Sequence, residues 1–149
     1  MVREVNVGEA ANQMLNKTSD GPSLCGLLMR AVKSGSVRAY GEGVAGLNNP
    51  MQQSQISDVA GTGNVQKYLI VEDWLYVKSL GKIQRRIFSI APATGNQEDK
   101  GTASFWVDYR DIWDMFNQCT VQFSEQKTAS LAQVFEEQLI SSKIISVKG

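Results

Sequence analysis

The sequence predicts an α+β fold: a small, mainly antiparallel sheet built on a long hairpin and packed by about three helices. Two long segments, Gln66–Lys78 and Lys82–Ala91, are rich in β-branched and aromatic residues, as strands are. Three other segments repeat apolar residues at helical spacing. All three tryptophans fall within Glu72–Phe116, so we expect much of the core there. The length of 149 residues suits one domain, residues 1–149.

The first elements are a strand and a helix. Alternation within Val2–Val7 predicts a short terminal strand. Ser23–Lys33 carries one apolar stripe at helical spacing, and Ser23 is placed to cap it. Gly35 can end that helix in the left-handed conformation, and Val37–Tyr40 is then expected to be a short strand.

The two long strands meet at a turn in which Gly81 can adopt a positive φ. A two-residue loop at Leu80–Gly81 would place Trp74 opposite Ile87 and Asp73 diagonal to Arg86. Charged residues then fall on both faces of the hairpin. They are consistent with ion pairing across strands at a sheet edge, or with a rim of charge that contacts a protein partner.

The second long strand is expected to end at a proline. Because proline lacks an N–H donor, Pro92 is expected to end the second long strand. Thr102–Val107 predicts a third strand, and Asp108 can cap the helix after it. The apolar stripe of that helix runs from Ile112 to Cys119, which leaves Trp113 beside the stripe and half exposed.

The remaining elements are shorter. Ser130 and Gln133 have the spacing of a capping box and predict a last helix over Leu131–Ser141. Ile144–Ile145 is expected to dock on the domain or to form a short strand. Met51–Val59 has few apolar positions and predicts a weak surface helix.

Composition excludes several classes of function. The charges balance, with 15 Lys and Arg against 15 Asp and Glu, which argues against nucleic-acid binding. There is no histidine, which removes histidine-based triads, general bases and metal ligands. Cys25 and Cys119 are too few for a metal site of their own, and we interpret them as buried apolar residues. A disulfide between them stays open if the protein is exported.

The N-terminal residues contain no apolar core of a signal peptide, and no apolar run reaches the roughly 20 residues needed to span a bilayer. We expect the chain to be trimmed of an N-terminal leader or segment. Absence of a signal here is therefore weak evidence for a cytoplasmic location.

Five segments resemble the GldN/PorN family of gliding-motility and type IX secretion proteins. The strongest blocks are EDWLYVKSLGKI at Glu72–Ile83, RRIFSIAP at Arg85–Pro92 and FWVDYR at Phe105–Arg110. Leu24–Tyr40 and Arg3–Leu15 are similar to two further family segments, and all five occur in the family's order.

The resemblance implies a periplasmic protein without a cofactor. Family members build a large ring with a partner lipoprotein at the inner face of the outer membrane, and they are not known as enzymes. The resemblance and the charged hairpin together predict a partner-binding set, which comprises Asp73, Lys78, Arg85, Arg86, Trp106, Tyr109 and Arg110.

Two other functions compete with a structural subunit of such a complex. A small-molecule or carbohydrate binding domain would use four aromatic residues as a stacking platform: Trp74, Trp106, Trp113 and Tyr109. An enzyme would pair Asp108 with Asp111, but acids at a helix start more simply cap it and favour its dipole.

Overall fold

The described part of the domain contains one large antiparallel sheet, two small two-stranded sheets and helices that pack on the large sheet. A computed structural model describes residues 1–44, 46–52, 54–56, 65, 67–94 and 102–146. The strands are β1 (Val2–Asn6), β2 (Tyr40–Glu42), β3 (Asn48–Pro50), β4 (Lys67–Val77), β5 (Lys82–Thr94), β6 (Thr102–Ala103), β7 (Val107–Asp108), β8 (Thr120–Ser124), β9 (Lys127–Ser130) and β10 (Lys143–Ser146). The α-helices are α1 (Leu24–Lys33), α2 (Tyr109–Gln118) and α3 (Leu131–Glu136), and a 3₁₀ helix spans Ala10–Asn16.

The large sheet has the strand order β10-β1-β4-β5-β6, and β7 also pairs with β5. Its pairings are antiparallel. Strand β1 covers only the first half of β4, because its register runs from Asn6 opposite Lys67 to Val2 opposite Val71. The predicted α+β class, with a sheet built on a long hairpin, is confirmed. In the described residues, no helix combines the length and the apolar character needed to cross a membrane.

The two faces of the sheet are covered by different cores. Tyr68 and Ile70 of β4 face the larger core, which contains side chains from α1, α2 and α3. Within it the rings of Phe116 and Phe135 stack with centroids 5.7 Å apart. Residues alternate along a strand, so Leu69 points to the opposite face and joins a smaller cluster around Trp106.

The helix ends follow the predicted capping chemistry. The Ser23 hydroxyl accepts a hydrogen bond from the backbone of α1, and Asp108 does the same for α2. Ser130 and Gln133 form a complete capping box at the start of α3. Gly35 follows α1 with φ of 81°, so its left-handed conformation is confirmed.

Helix α3 is shorter than predicted and ends at Glu136 rather than Ser141. Gln138 adopts φ of 54°, and the N–H of Leu139 donates to the carbonyl of Val134 at 2.9 Å. A left-handed residue with this hydrogen bond is a Schellman ending, here made without glycine. The sequence carries no Gly or Asn to mark it, which is why the helix was predicted to be too long.

The turn of the long hairpin was also predicted wrongly. Val77 lies opposite Lys82, so the turn has four residues, 78–81, rather than two. The register therefore places Trp74 opposite Arg85 instead of Ile87. Gly81 has φ of 60°, which bears out its expected conformation.

Pro92 does not end β5, which continues to Thr94. The Pro92 carbonyl accepts from the N–H of Ser104 at 2.9 Å, on the side away from β4. In a strand the nitrogen and carbonyl of one residue point to the same side, so the missing donor costs the β4–β5 ladder nothing.

The predicted strand Thr102–Val107 is split into β6 and β7. Between them Trp106 exchanges both backbone hydrogen bonds with Tyr40, each at 2.8 Å. The predicted strand at Val37–Tyr40 begins only at Tyr40, because the N–H of Val37 bonds back to the carbonyl of Ala31 at the end of α1.

The remaining sequence predictions concern the C-terminal tail, the segment Met51–Val59 and the two cysteines. β10 carries Ile144–Ile145 and pairs with β1, so the tail forms a strand. The hairpin of β8 and β9 was not predicted. Of Met51–Val59, residues 54–56 are helical and several others lie outside the described residues. Cys25 is half-buried, Cys119 is buried, and both are free thiols.

Candidate functional site

The outer half of the long hairpin projects beyond the rest of the sheet. We call the segment Asp73–Arg86 the hairpin arm. In the described part of the chain, only β4 and β5 pair along this arm, because β1 pairs with β4 no further than Val71. We call the inner half of the hairpin, Lys67–Glu72 with Ile87–Ala93, the base. A two-stranded ribbon cannot bury both of its faces, and large side chains of this arm are exposed. They are Trp74, Leu75, Tyr76, Leu80 and Ile83.

Three of these side chains, Trp74, Tyr76 and Ile83, form an apolar patch across both strands. Tyr76 lies directly opposite Ile83, and they are 67% and 63% exposed. Trp74 shares their face of the ribbon, two residues before Tyr76. Because large contiguous apolar surfaces in folded proteins are typical of interaction sites, this patch is a candidate site.

A buried carboxylate fixes the base of the arm. Glu72 has no exposed surface, and its side chain forms ion pairs with Arg3 of β1 and Arg85 of β5. It also accepts a hydrogen bond of 3.1 Å from the indole N–H of Trp74. Arg85 in turn donates to the carbonyl of Phe135, at 2.7 Å, at the end of α3. This cluster ties the N-terminal strand, the arm and the last helix together.

The charge of Glu72 is stabilised by its partners. Burial alone raises the pKa of this carboxyl, but hydrogen bonds from Arg3 and Arg85 outweigh it and hold the pKa below its usual value. The carboxylate is therefore ionised at neutral pH. Its role is to anchor the hairpin rather than to exchange protons.

A cleft of about 880 Å³ lies beside the base of the arm. One wall is β5, and the opposite wall is the start of α2 with Tyr109 and Trp113. Gly43 and Leu47 also line the cleft. Five residues of the predicted partner-binding set line it: Asp73, Arg85, Arg86, Tyr109 and Arg110.

Most charges in the cleft are already paired. Asp108 and Arg110 form an ion pair at 2.9 Å, and the hydrogen bond from Arg110 is the main reason that the pKa of Asp108 is lowered. The Tyr109 hydroxyl donates to Glu136 at 3.1 Å. Burial, with the nearby Glu136 charge, raises the pKa of Tyr109. These four groups are therefore engaged with one another.

Asp73 and Arg86 differ from the other charged residues of the cleft in having no ion-pair or side-chain hydrogen-bond partner among the described residues. Asp73 and Arg86 are opposite each other across the hairpin, yet neither forms an ion pair with a described residue. The Arg86 guanidinium instead lies over the ring of Phe88, 4.6 Å from its centroid. Both therefore remain available to an external group.

The other two predicted residues lie apart from the cleft. Lys78 is exposed in the turn at the tip of the arm. Trp106 is only 4% exposed and packs in the smaller core. A Cβ on Gly43 would come within 2.5 Å of its indole, so the segment at Gly43 lies directly on this ring.

The structure does not assemble the predicted aromatic platform. Trp106 is buried, Tyr109 is 6% exposed, and only Trp74 and Trp113 present substantial surface. In the described part of the chain, no group of three or more Cys, Asp or Glu side chains is placed to hold a metal ion.

Sequence reasoning missed the roles of Glu72 and Arg3, which are 69 residues apart in the sequence. Their contact depends on the β1–β4 pairing, which no local pattern reveals. Glu72 nevertheless has the same strand parity as Tyr68 and Ile70, whose side chains face the larger core. That alternation was the available signal that this acid is buried.

Comparison with protein families identifies a match that covers the whole chain. A family model described as "Gliding motility associated protein GldN" matches residues 1–149, which is the whole chain. No curated protein matches the chain.

Proposed function

Since the chain belongs to the GldN family of gliding motility associated proteins, we propose that it is a non-enzymatic interaction subunit of a gliding-motility or secretion complex. The hairpin arm is the surface by which it binds a protein partner. In this proposal the subunit works in the periplasm, at the inner face of the outer membrane, with a partner lipoprotein. The type IX secretion setting comes from the family resemblance.

The observation that carries the proposal is the uncovered apolar patch on the arm. Trp74, Tyr76 and Ile83 lie on one face of the ribbon, and none of them contributes to either core. Aromatic side chains are enriched at the centres of protein interfaces, where they bury large areas at low entropic cost. Lys78, two residues after Tyr76 in the turn of the arm, supplies part of the polar rim of such an interface.

The cleft offers a second surface on the same subunit. A ring requires two different contact surfaces on each copy, because head-to-tail contacts are heterologous. The arm and the cleft meet this requirement. The enzyme alternative relied on Asp108, but this carboxylate is engaged with Arg110 and the backbone of α2.

Co-purification from the native cells tests this proposal. A double variant, Tyr76→Ser with Ile83→Ser, is expected to fold normally and to lose the complex, because both side chains are exposed. Phe123→Ser is the matched control, since Phe123 is an exposed aromatic residue of β8, outside the arm. Gliding and secretion of the same cells provide the second measurement.

Loss of the complex in the arm variant alone, together with loss of gliding or secretion, supports the proposal. An arm variant that retains the full complex and full motility would show that the patch does not carry binding.

A further inference from the structure

We propose that the end of the hairpin arm binds the surface of an anionic phospholipid bilayer. The segment that makes this contact is Lys78–Lys82, which comprises the turn of the hairpin and the first residue of β5, and we call it the tip. This inference goes beyond the proposed function, because the partner is a lipid surface rather than a protein.

An apolar side chain is exposed in the tip. Leu80 is 58% exposed and belongs to neither core. Its N–H donates to the carbonyl of Val77 at 3.0 Å, and the N–H of Gly81 donates to the carbonyl of Lys78 at 3.4 Å. The turn is therefore closed by hydrogen bonds of its own backbone, and it presents Leu80 to the surroundings instead of packing it on the domain.

Positive charge flanks this side chain on both sides. Lys78 and Lys82 are exposed, and neither forms an ion pair with a described residue. The stretch from Trp74 to Gln84 contains these two lysines and no Asp or Glu. The outer part of the arm is therefore cationic although the whole chain is neutral, and anionic lipid headgroups attract lysines placed in this way.

Aromatic side chains lie directly behind the tip. Tyr76 and Trp74 precede Val77, the last residue of β4, by one and three positions, which is roughly 3 and 10 Å along the strand. Apolar elements that lie in a membrane interface enter it by about 5–10 Å. At that depth the tip and Tyr76 are inserted, and Trp74 lies at the level of the headgroups, where Trp and Tyr are enriched in membrane proteins.

The composition of the tip favours a lipid over a protein as its partner. Lysine is depleted in the buried centre of protein interfaces, yet two lysines flank Leu80 here. In a bilayer the lysine stems can lie along apolar surface while their ammonium groups reach the headgroups. A leucine, aromatic rings and lysines placed together in this way are typical of interfacial segments.

Vesicle binding by the full chain tests the inference. The protein is mixed with vesicles of phosphatidylglycerol and phosphatidylethanolamine, or with vesicles of phosphatidylcholine alone, and the bound fraction is measured by co-sedimentation. We expect binding to the anionic vesicles and much weaker binding to the neutral ones. Added salt is expected to weaken the binding, because it screens the attraction between exposed charges.

Two tip variants separate the apolar contribution from the charge contribution. Leu80→Asp, and Lys78→Gln with Lys82→Gln, are each expected to reduce binding to the anionic vesicles at least about tenfold. All three side chains are exposed, and circular dichroism checks that both variants are folded.

The matched control lies in the other exposed hairpin, that of β8 and β9. Phe123→Ser with Lys127→Gln also removes an exposed apolar side chain and a lysine, but the turn there carries the acid Glu125. This variant is expected to bind the vesicles as the wild type does.

Tryptophan fluorescence distinguishes insertion of the arm from adhesion by another surface. Trp74 and Trp113 are exposed to similar extents, 46% and 42%, but only Trp74 lies in the arm. Anionic vesicles are expected to shift the emission to shorter wavelength. The shift should persist in Trp113→Phe and disappear in Trp74→Phe.

A wild-type chain that does not bind the anionic vesicles would overturn the inference, as would tip variants that bind normally. A fluorescence shift that depends on Trp113 instead of Trp74 would overturn it too. If Leu80→Asp keeps vesicle binding but loses the complex in co-purification, the tip contacts a protein and the inference is wrong.

The two proposals fail separately. The vesicle experiment contains no other protein, so a negative result there leaves the co-purification test of the apolar patch standing. A negative co-purification test with normal vesicle binding would remove the protein partner from the patch and leave the membrane contact of the tip.

Discussion

The two halves of one hairpin have opposite environments. The base, formed by Lys67–Glu72 and Ile87–Ala93, is buried except for Phe88, while the arm beyond it is largely exposed. Both halves belong to the same two strands and are rich in aromatic and β-branched residues. The difference arises from their neighbours, because β1, β6 and β7 pair only with the base. We infer that the base stabilises the fold and that the arm is free to bind.

The largest effect is expected at the junction of the two halves. Glu72→Ala leaves Arg3 and Arg85 without their shared anion in a site where both are mostly buried. Breaking a buried charge pair in this way costs about 3–5 kcal/mol of unfolding free energy. Urea denaturation measures it. The neighbouring Asp73→Ala is the control and is expected to change the unfolding free energy by less than about 0.5 kcal/mol. Equal losses of stability in the two variants would contradict the special role of Glu72.

The next effect concerns the covering of the base. Gly43→Ala places a Cβ about 2.5 Å from the buried indole of Trp106, so the segment must shift. Overpacking of this kind costs about 1–3 kcal/mol. Gly41→Ala is the matched control, because a Cβ at that position would lie 3.5 Å from its nearest atoms, which is an ordinary van der Waals contact. Thermal unfolding of both variants should separate them, and equal stabilities would mean that Gly43 is not needed for close approach.

Acid is expected to reduce the contribution of Glu72 to the unfolding free energy. The pKa of Glu72 is lower in the folded chain than in the unfolded one, so its contribution is fully present above the unfolded value of about 4.3. It is lost as the pH falls through the lower folded pKa. The stability difference between the wild type and Glu72→Gln should therefore shrink below about pH 4. A difference that is constant down to pH 2 would contradict the ionised state of Glu72.

The smallest effect on stability is expected in the arm. Tyr76→Ser with Ile83→Ser removes large side chains that pack on neither core, so the unfolding free energy should change by less than about 1 kcal/mol. Urea denaturation at neutral pH measures it. A loss comparable with that of Glu72→Ala would make the arm part of the folding core.

Local signals in the sequence predicted a large share of the fold. Caps and apolar periodicity located α1, α2 and the start of α3, because each depends on residues within one helix. The ends that were wrong depend on distant partners. Pro92 remains within β5 because its backbone faces Ser104 rather than β4. Trp106 lies between β6 and β7 because its backbone pairs with that of Tyr40.

The candidate site was predictable only in part. The charged hairpin pointed to Arg86 and Asp73, and the structure places both at the cleft. The resemblance also pointed to Trp106, but the alternation of β7 and its neighbours buries this ring. Arg85 was predicted to face a partner, whereas its guanidinium is held by Glu72 and by a carbonyl of α3. The contacts of both residues join segments that are far apart in the chain.

Hydrogen–deuterium exchange tests the contrast between the two halves most directly. It is measured on the isolated chain at low concentration and on the complex purified from native cells. We predict slow exchange in the base in both samples, and fast exchange in the arm that becomes slow only in the complex. Unchanged fast exchange of the arm in the complex, with protection appearing elsewhere, would contradict its role as the binding element.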